Sequence, residues 1–265
     1  MNFRATSKRA VDSVHKIKEY LFEDHEFMSS FGESLDYESY WVKRTQNEEN
    51  PAGIERHVDK LLVSSRYKLI EQLIEPKSRV LEIGCGDGSL LAYLKKTKDA
   101  EVFGIDVSFH AVELAKAKGI KIQRGDISYE ENLIPENIDH IIMVEVLEHL
   151  SNPIEVLMNL KGKYRKSLIV DIPNTGAIND RLRLLFGRFP RQWILHPNEH
   201  LQFWTVTDFL FLCQQLGFRV KSYYGLHDAY YDFGPLRMWK HYPKMFSRFI
   251  VYELSSSDDL NKKKK

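Results

Sequence analysis

The chain has 265 residues, 43% hydrophobic and 12% aromatic, enough for one large domain with an appendage and too apolar to be disordered throughout. Lysine plus arginine number 38 against 37 aspartate plus glutamate, so no global field favours nucleic acid or an anionic surface, and no nucleic-acid partner is expected. Two cysteines, Cys85 and Cys213, exclude a disulfide framework and a cysteine-based zinc site.

MNFRATSKRAVDSVHKIKEY carries charges throughout and has no apolar h-region, and no apolar run approaches the roughly 20 residues of a membrane span. A cytoplasmic protein without a membrane span is expected. Residues 1–53 are polar and aromatic, with weak helical periodicity over Val11–Phe22 and a loop-like EENPAG at Glu48–Gly53. They read as an N-terminal helical extension and a candidate cap. Residues 54–255 form the main domain. Within it, Val58–Ile74 places Leu61, Leu62, Tyr67, Leu69, Ile70, Leu73 and Ile74 near helical spacing.

RVLEIG is then a short buried-strand pattern, followed by a glycine turn and the helix SLLAYLKK. EVFGIDV predicts a second strand, and HAVELAKAKG a helix with Ser108 near its start and Gly119 as its stop. KIQRGDI and HIIMVEV predict strands three and four. Asn152-Pro153-Ile154-Glu155 is a helix start with an N-cap, a proline at the first helical position and a capping-box acid. SLIVDIP is the fifth strand. Thr205-Val206-Thr207-Asp208 opens another capped helix, closed by Gly217, and FRVKSYYG and RFIVYEL complete the set as a strand pair. SSSDDLNKKKK, essentially residues 256–265, has no apolar anchor and reads as a frayed tail; its four lysines are given no role.

This alternation predicts a doubly wound α/β fold: a seven-stranded, mostly parallel sheet with helices on both faces and an antiparallel last strand. Because no helix is expected between the last two strands, an antiparallel member is expected at the sheet edge. Right-handed crossovers bring the carboxyl ends of the parallel strands to one edge, where ligands of such sheets bind.

The chemistry concentrates in VLEIGCGDG, Val80–Gly88. Gly84 permits a tight turn after the strand, Gly86 removes a Cβ where backbone must approach a ligand, and the next helix presents free amides. The spacing is E-x-G-x-G-x-G. Ser89 stands where a pyrophosphate-binding fingerprint needs glycine, which disfavours a nicotinamide-dependent oxidoreductase. Asp106 ends the second strand about 20 residues further on, where a carboxylate can accept both hydroxyls of a ribose.

With these landmarks the sequence resembles the class I S-adenosylmethionine methyltransferases, which have a Rossmann-like sheet. The resemblance implies that Glu82, Gly84, Cys85, Gly86 and Gly88 hold the methionine part and ribose side of the cofactor. Asp106, followed by Val107, would bind the ribose, and Asp126 with Ile127 would receive the adenine. Glu145, in the fourth-strand signature VEVLEHLSNP, would lie near the methionine end. Further on, IVDIPNTGAINDRLRLLFGRFP and HLQFWTVTDFLFLCQQLGFRV are similar to the MetW-type branch. Residues 1–53 and Leu226–Trp239 have no counterpart in short MetW proteins, which favours an enzyme with its own substrate-binding parts; residues 175–204 and 225–246 are candidate acceptor-binding insertions. The expected reaction moves a methyl group to oxygen, less readily to nitrogen, of a small or medium acceptor such as a saccharide, lipid-linked sugar or secondary metabolite. The alternative is a cofactor-binding regulatory partner of an acyltransferase in methionine biosynthesis.

Base candidates on the acceptor side are His149, His196, Glu199 and His200, with His200 favoured because HPNEHLQFW follows the fifth strand; equally, His200 packs the helix that starts at Thr205. His149 also reads as part of the turn after the fourth strand. Asp180–Trp193 carries Arg181, Arg183, Arg188 and Arg191 among apolar residues. It is either a basic lid for an anionic acceptor or an amphipathic surface helix with a solvated arginine face. Tyr223, Tyr224, Tyr230, Tyr231, Phe233 and Trp239 either line a ring site or pack the sheet. No metal is expected.

Overall fold

The computed structural model describes residues 37–46, 53–190, 193, 200–226 and 238–256. The periodicity at Val11–Phe22, most of EENPAG, Arg191, His196, Glu199, Tyr230, Tyr231, Phe233 and the lysine tail lie outside them.

Two helices, α1 (Tyr37–Gln46) and α2 (Gly53–Leu73), precede the sheet. The alternating region then runs β1 (Arg79–Ile83), α3 (Ser89–Lys98), β2 (Glu101–Asp106), α4 (Phe109–Ala117), β3 (Lys121–Arg124) and β4 (Ile138–Val144). It continues with a 3-10 turn at Leu147–His149, α5 (Pro153–Asn159), β5 (Tyr164–Pro173), α6 (Ile178–Leu185), α7 (Val206–Gln215) and β6 (Phe218–Gly225). Last come α8 (Met238–His241), α9 (Pro243–Phe246) and β7 (Phe249–Ser256).

The caps anticipated from sequence fix the helix starts. Ser108 Oγ accepts from the Ala111 amide at 3.2 Å, Asn152 Oδ1 from Glu155 at 3.4 Å, and Thr205 Oγ1 from Asp208 at 3.2 Å. The strands form one seven-stranded sheet in the order β3-β2-β1-β4-β5-β7-β6. The first five are mutually parallel, and β7 runs antiparallel to both β5 and β6. One core packs Leu81, Ile141, Leu157, Phe209 and Tyr252 on one face of the sheet. A second packs Val80, Leu91, Val102, Ile142 and Val251 on the other.

Two expectations about the last strand pair need correction. The antiparallel strand β7 is not at the edge, and two short helices, α8 and α9, lie between β6 and β7. The reason is burial. Ile250, Val251, Tyr252 and Leu254 of β7 are all 1% exposed or less, as suits a strand covered on both faces, whereas the residues of β6 between its buried ends are partly buried or exposed. The apolar strand takes the interior place and the mixed one the edge. The chain order places β2 and β3 on one side of β1, and β4 onward on the other. The sheet therefore switches direction between β1 and β4, and a crevice opens above their carboxyl ends.

Candidate functional site

A cavity of about 710 Å³ fills that crevice. This lies within the ~300–1,000 Å³ range of small-molecule sites. Its floor is the strand ends: Ile83 and Gly84 after β1, Ile105 to Val107 at β2, Gly125 to Tyr129 after β3, and Val144 to Val146 at β4. Gly84 sits at φ +69°, and a Cβ there would overlap Cγ2 of Val146, so the turn that lets β4 close against β1 requires glycine. Asp106, 7% exposed, accepts from the Gly86 amide at 2.7 Å and the Ser108 amide at 2.9 Å. Burial raises its carboxyl above the usual range, against the amides of Ser108, Gly86 and Val107. Each carboxylate oxygen retains a lone pair for a ligand hydroxyl. Beyond it, Asp126 Oδ1 accepts from the Ser128 amide at 2.9 Å and holds Ile127 at the wall.

The opposite wall is polar in a different way. Glu145, in the left-handed region at φ +52°, ends β4 with its amide on Asp171 O at 2.9 Å. The buried guanidinium of Arg66, reaching from α2, bonds Asp171 and pairs with Glu145 at 3.0 Å. Burial raises the Asp171 carboxyl to about 7, with the Arg66 charge opposing. Glu148 is 1% exposed, and neither of its carboxylate oxygens has a hydrogen-bond partner. Burial pushes it well above the usual carboxylate range, reinforced by the charge of Glu145. His149 and His200 complete this wall, their rings 4.7 Å apart and at 87°. The amides of Leu201 and Gln202 both donate to Glu148 O, at 2.7 and 3.0 Å, and strap the loop after β5 to the turn after β4.

The roof comes from α1. Tyr37 and Trp41 line the cavity, Tyr37 edge-on to His149 at 6.2 Å. Glu38 fastens this helix to the start of α4, accepting from Ser108 Oγ at 2.8 Å and from the His110 amide at 2.9 Å. The indole of Trp41 lies so close to Gly86 that any side chain there would collide with it.

Among the residues expected to hold the cofactor, Gly84, Asp106, Val107, Asp126, Ile127 and Glu145 line the cavity together. Glu82, in β1, and Cys85, Gly86 and Gly88, in the turn that follows, are not among the lining residues. Glu82 is 4% exposed and its Oε2 has no hydrogen-bond partner; burial raises it well above the usual range, then the charges of Asp87 and Asp106. The Cys85 side chain points into the core beside Gly104, and Gly88 packs against Ala115 of α4. Of the base candidates, His149 and His200 reach the cavity, and Glu199 lies outside the described residues.

The arginine stretch divides: Arg181 is exposed, as a solvated arginine face requires, whereas Arg183 is not. Arg183 of α6 is fully buried, and its Nε donates to Phe189 O at 2.7 Å, while Leu184, Leu185 and Phe186 are 52%, 75% and 56% exposed. No described residue of Asp180–Trp193 lines the cavity. Tyr223 packs on Tyr252, with ring centroids 6.1 Å apart, away from the cavity. The sequence reading missed Arg66, Tyr37 and Trp41. Arg66 was detectable as a charged residue four positions before Ile70, itself four before Ile74, on an apolar stripe. Among the described residues no helix is long and apolar enough to cross a membrane.

Comparison with known proteins places this geometry. A Ubiquinone biosynthesis O-methyltransferase, from Rickettsia felis (strain ATCC VR-1525 / URRWXCal2), is 30% identical over 175 residues, 60% of this chain and 68% of its own length. The namesake from Paracidovorax citrulli (strain AAC00-1) is 33% identical over 86 residues, 30% of this chain but only 36% of the relative. The solved magnesium protoporphyrin IX methyltransferase of Synechocystis PCC 6803 with bound S-adenosylmethionine superposes with a TM-score of 0.54 at 16% identity. That match covers 84% of this chain and 99% of that one, and it shows the shared fold. The profile described as "Methionine biosynthesis protein MetW" matches residues 64–254, from the middle of α2 into β7. With most of its sheet and cavity inside that match, the chain belongs to the MetW family, within the class I S-adenosylmethionine-dependent methyltransferases.

Proposed function

We propose that this protein transfers the methyl group of S-adenosylmethionine to oxygen, with nitrogen second, of a small or medium acceptor such as a saccharide, lipid-linked sugar or secondary metabolite. The observation that carries the reading is one continuous cavity. It joins the strand-end carboxylates Asp106 and Asp126 to the imidazoles of His149 and His200 on the facing wall. When bound, the cofactor supplies an electrophilic methyl on a sulfonium. Asp106 accepts its ribose hydroxyls, Asp126 and Ile127 take the adenine, and Gly84 and Glu145 face the methionine end. The orphaned Oε2 of Glu82 fits a site that lacks one polar partner. Residues 1–53 act through α1 as the cap, with Trp41 and Tyr37 excluding water.

The acceptor then lies against His149 and His200, with His200, or its neighbour Glu199, as the base for a hydroxyl. Holding the nucleophile about 3–3.5 Å from the methyl contributes roughly 7–11 kcal/mol through orientation. A base adds roughly 10²–10⁴-fold. The relatives named for O-methylation support oxygen as the receiving atom.

Calorimetric titration is expected to show S-adenosylmethionine and its demethylated product binding at micromolar levels, with no binding of NAD. Asp106→Ala should weaken the cofactor by about 1–3 kcal/mol through the lost charge-assisted bonds. The reverse ligand preference, or an unchanged affinity in Asp106→Ala, contradicts the assignment. A second reading follows from the family description: a cofactor-binding partner that regulates an acyltransferase of methionine biosynthesis. Co-purification with such an enzyme, while labelled S-adenosylmethionine methylates nothing in extract, would favour it.

A further inference from the structure

We propose that Glu148, His149 and His200 form a divalent-cation site in the cavity wall, suited to a first-row transition ion such as Mn²⁺, Co²⁺ or Zn²⁺. One ligand atom from each residue lies within 4.8 Å of the other two, close to the span of donors around one ion with bonds of about 2.0–2.2 Å. Glu148 Oε1 and His149 Nε2 are 3.9 Å apart, too far for a hydrogen bond and well placed to share an ion. The two imidazoles, from separate segments, meet edge to face at 87° with their centroids 4.7 Å apart.

The second, independent observation is the state of Glu148. Its carboxyl is desolvated, yet neither oxygen accepts a hydrogen bond. Buried carboxylates are costly unless paired or coordinating a metal. Arg66 does not answer this need, since its guanidinium is engaged with Asp171 and Glu145. The main chain is arranged to keep the three donors together: Leu201 N and Gln202 N bond Glu148 O, and Gln202 Nε2 donates to Leu150 O at 3.3 Å. These bonds hold the segment that carries His200 beside the turn that carries Glu148 and His149.

Two imidazoles and one carboxylate suit borderline transition ions better than Mg²⁺ or Ca²⁺, which prefer all-oxygen sets. Three protein ligands leave positions open, and His149 and His200 both border the cavity. The acceptor class follows: a compound with two adjacent oxygens, a vicinal diol or a hydroxyl beside a carbonyl, able to chelate the ion. The cation lowers the pKa of the bound hydroxyl, whose proton leaves to solvent. The resulting oxygen forms its bond to the methyl carbon as the carbon–sulfur bond breaks, and that electron pair stays on sulfur. In this arrangement His200 serves as a ligand, and the ion takes over the activation otherwise assigned to it as a base.

The site's catalytic role rests on the methyltransferase reading, but ion binding does not, and it is measured without cofactor or acceptor. Full-length protein stripped with a chelator is titrated with Mn²⁺, followed by electron paramagnetic resonance, and with Co²⁺, followed by visible absorption. One ion per chain is expected, bound at least tenfold more tightly than Mg²⁺. His200→Ala and Glu148→Gln should each weaken Mn²⁺ at least tenfold. Thermal melts monitor folding, and His200→Gln, a loop substitution, gives a second test if Glu148→Gln fails to fold. No saturable binding, or equal affinity in wild type and the His200 variants, overturns the proposal. Ion binding without S-adenosylmethionine binding would instead overturn the methyltransferase reading and leave the cation site standing.

Discussion

Gly84 and Gly162 both hold a left-handed backbone, at φ +69° and +74°, yet their surroundings differ. A side chain at Gly84 would overlap Val146, whereas nothing lies within 4 Å of a Cβ at Gly162. Alanine at either position costs about 1–2 kcal/mol of backbone strain. Only at Gly84 is overpacking, about 1–3 kcal/mol, added. Gly84→Ala is therefore expected to lower the urea-unfolding free energy by more than Gly162→Ala does, and to weaken S-adenosylmethionine while Gly162→Ala does not. Equal destabilisation would show that Val146 yields and that the close approach of β1 and β4 is not what requires glycine. At this scale the sequence was informative wherever spacing carries the meaning. The acid-glycine run and Asp106 fall in register because the turn and the second strand have nearly fixed lengths. Arg66 did not stand out as a site residue because its partners lie 105 and 79 positions away, at Asp171 and Glu145, and no local pattern records such a pairing.

Among the elements, α2 depends on that pairing to dock. Its inward side presents Arg66 and Ile70, the arginine bonding Asp171 in β5 and Glu145 at the end of β4, with its guanidinium over the Phe249 ring at 5.4 Å. Removing one partner of a buried pair leaves an uncompensated charge, typically at a cost of about 3–5 kcal/mol. Arg66→Leu should thus destabilise by about that much in chemical denaturation, and adding Asp171→Asn should recover part of the loss. A single variant as stable as wild type would mean that Asp171 takes up a proton at little cost and that the guanidinium is dispensable for docking. The strands were legible as elements because central parallel strands carry continuous apolar runs, as β4 does from Ile141 to Val144. The orientation of α6 was not. Periodicity identifies two faces of a helix but not which one turns inward, and Arg183 turns in because Phe189 O is there to accept its bond.

Across the whole molecule the sheet separates two kinds of buried polar group. The carboxyl ends of the strands gather the buried carboxyls Glu82, Asp106, Glu148 and Asp171, with the partly exposed Glu145 beside them, and Asp106 and Glu145 line the cavity. At the opposite ends, where β4 and β5 begin, His140 is 1% exposed and paired across the register with Ser167. Its Nδ1 lies 2.7 Å from Ser167 Oγ and its Nε2 2.6 Å from Glu75 Oε2. The carboxylate can only accept, so Nε2 carries the proton of the neutral ring and Nδ1 accepts from the serine hydroxyl. Glu75, Lys166 and Asp139 are the charged groups acting on the ring. Burial outweighs the favourable charge of Glu75 and lowers the His140 pKa from 6.5. The unfolded chain therefore binds more protons than the folded one between the lowered value and about 6.5. Stability contributed by neutral His140 is present above about pH 6.5 and is lost as pH falls below it, with a slope of at most about 1.4 kcal/mol per pH unit. His140→Gln removes this titration while leaving the other nine histidines to contribute equally in both proteins. Urea unfolding at pH 7.5 and 5.5 should show the variant less stable at the higher pH, with the gap to wild type narrowing at the lower one. A gap that stays constant or widens on acidification would show that His140 takes up its proton in the folded state and that burial does not hold the ring neutral.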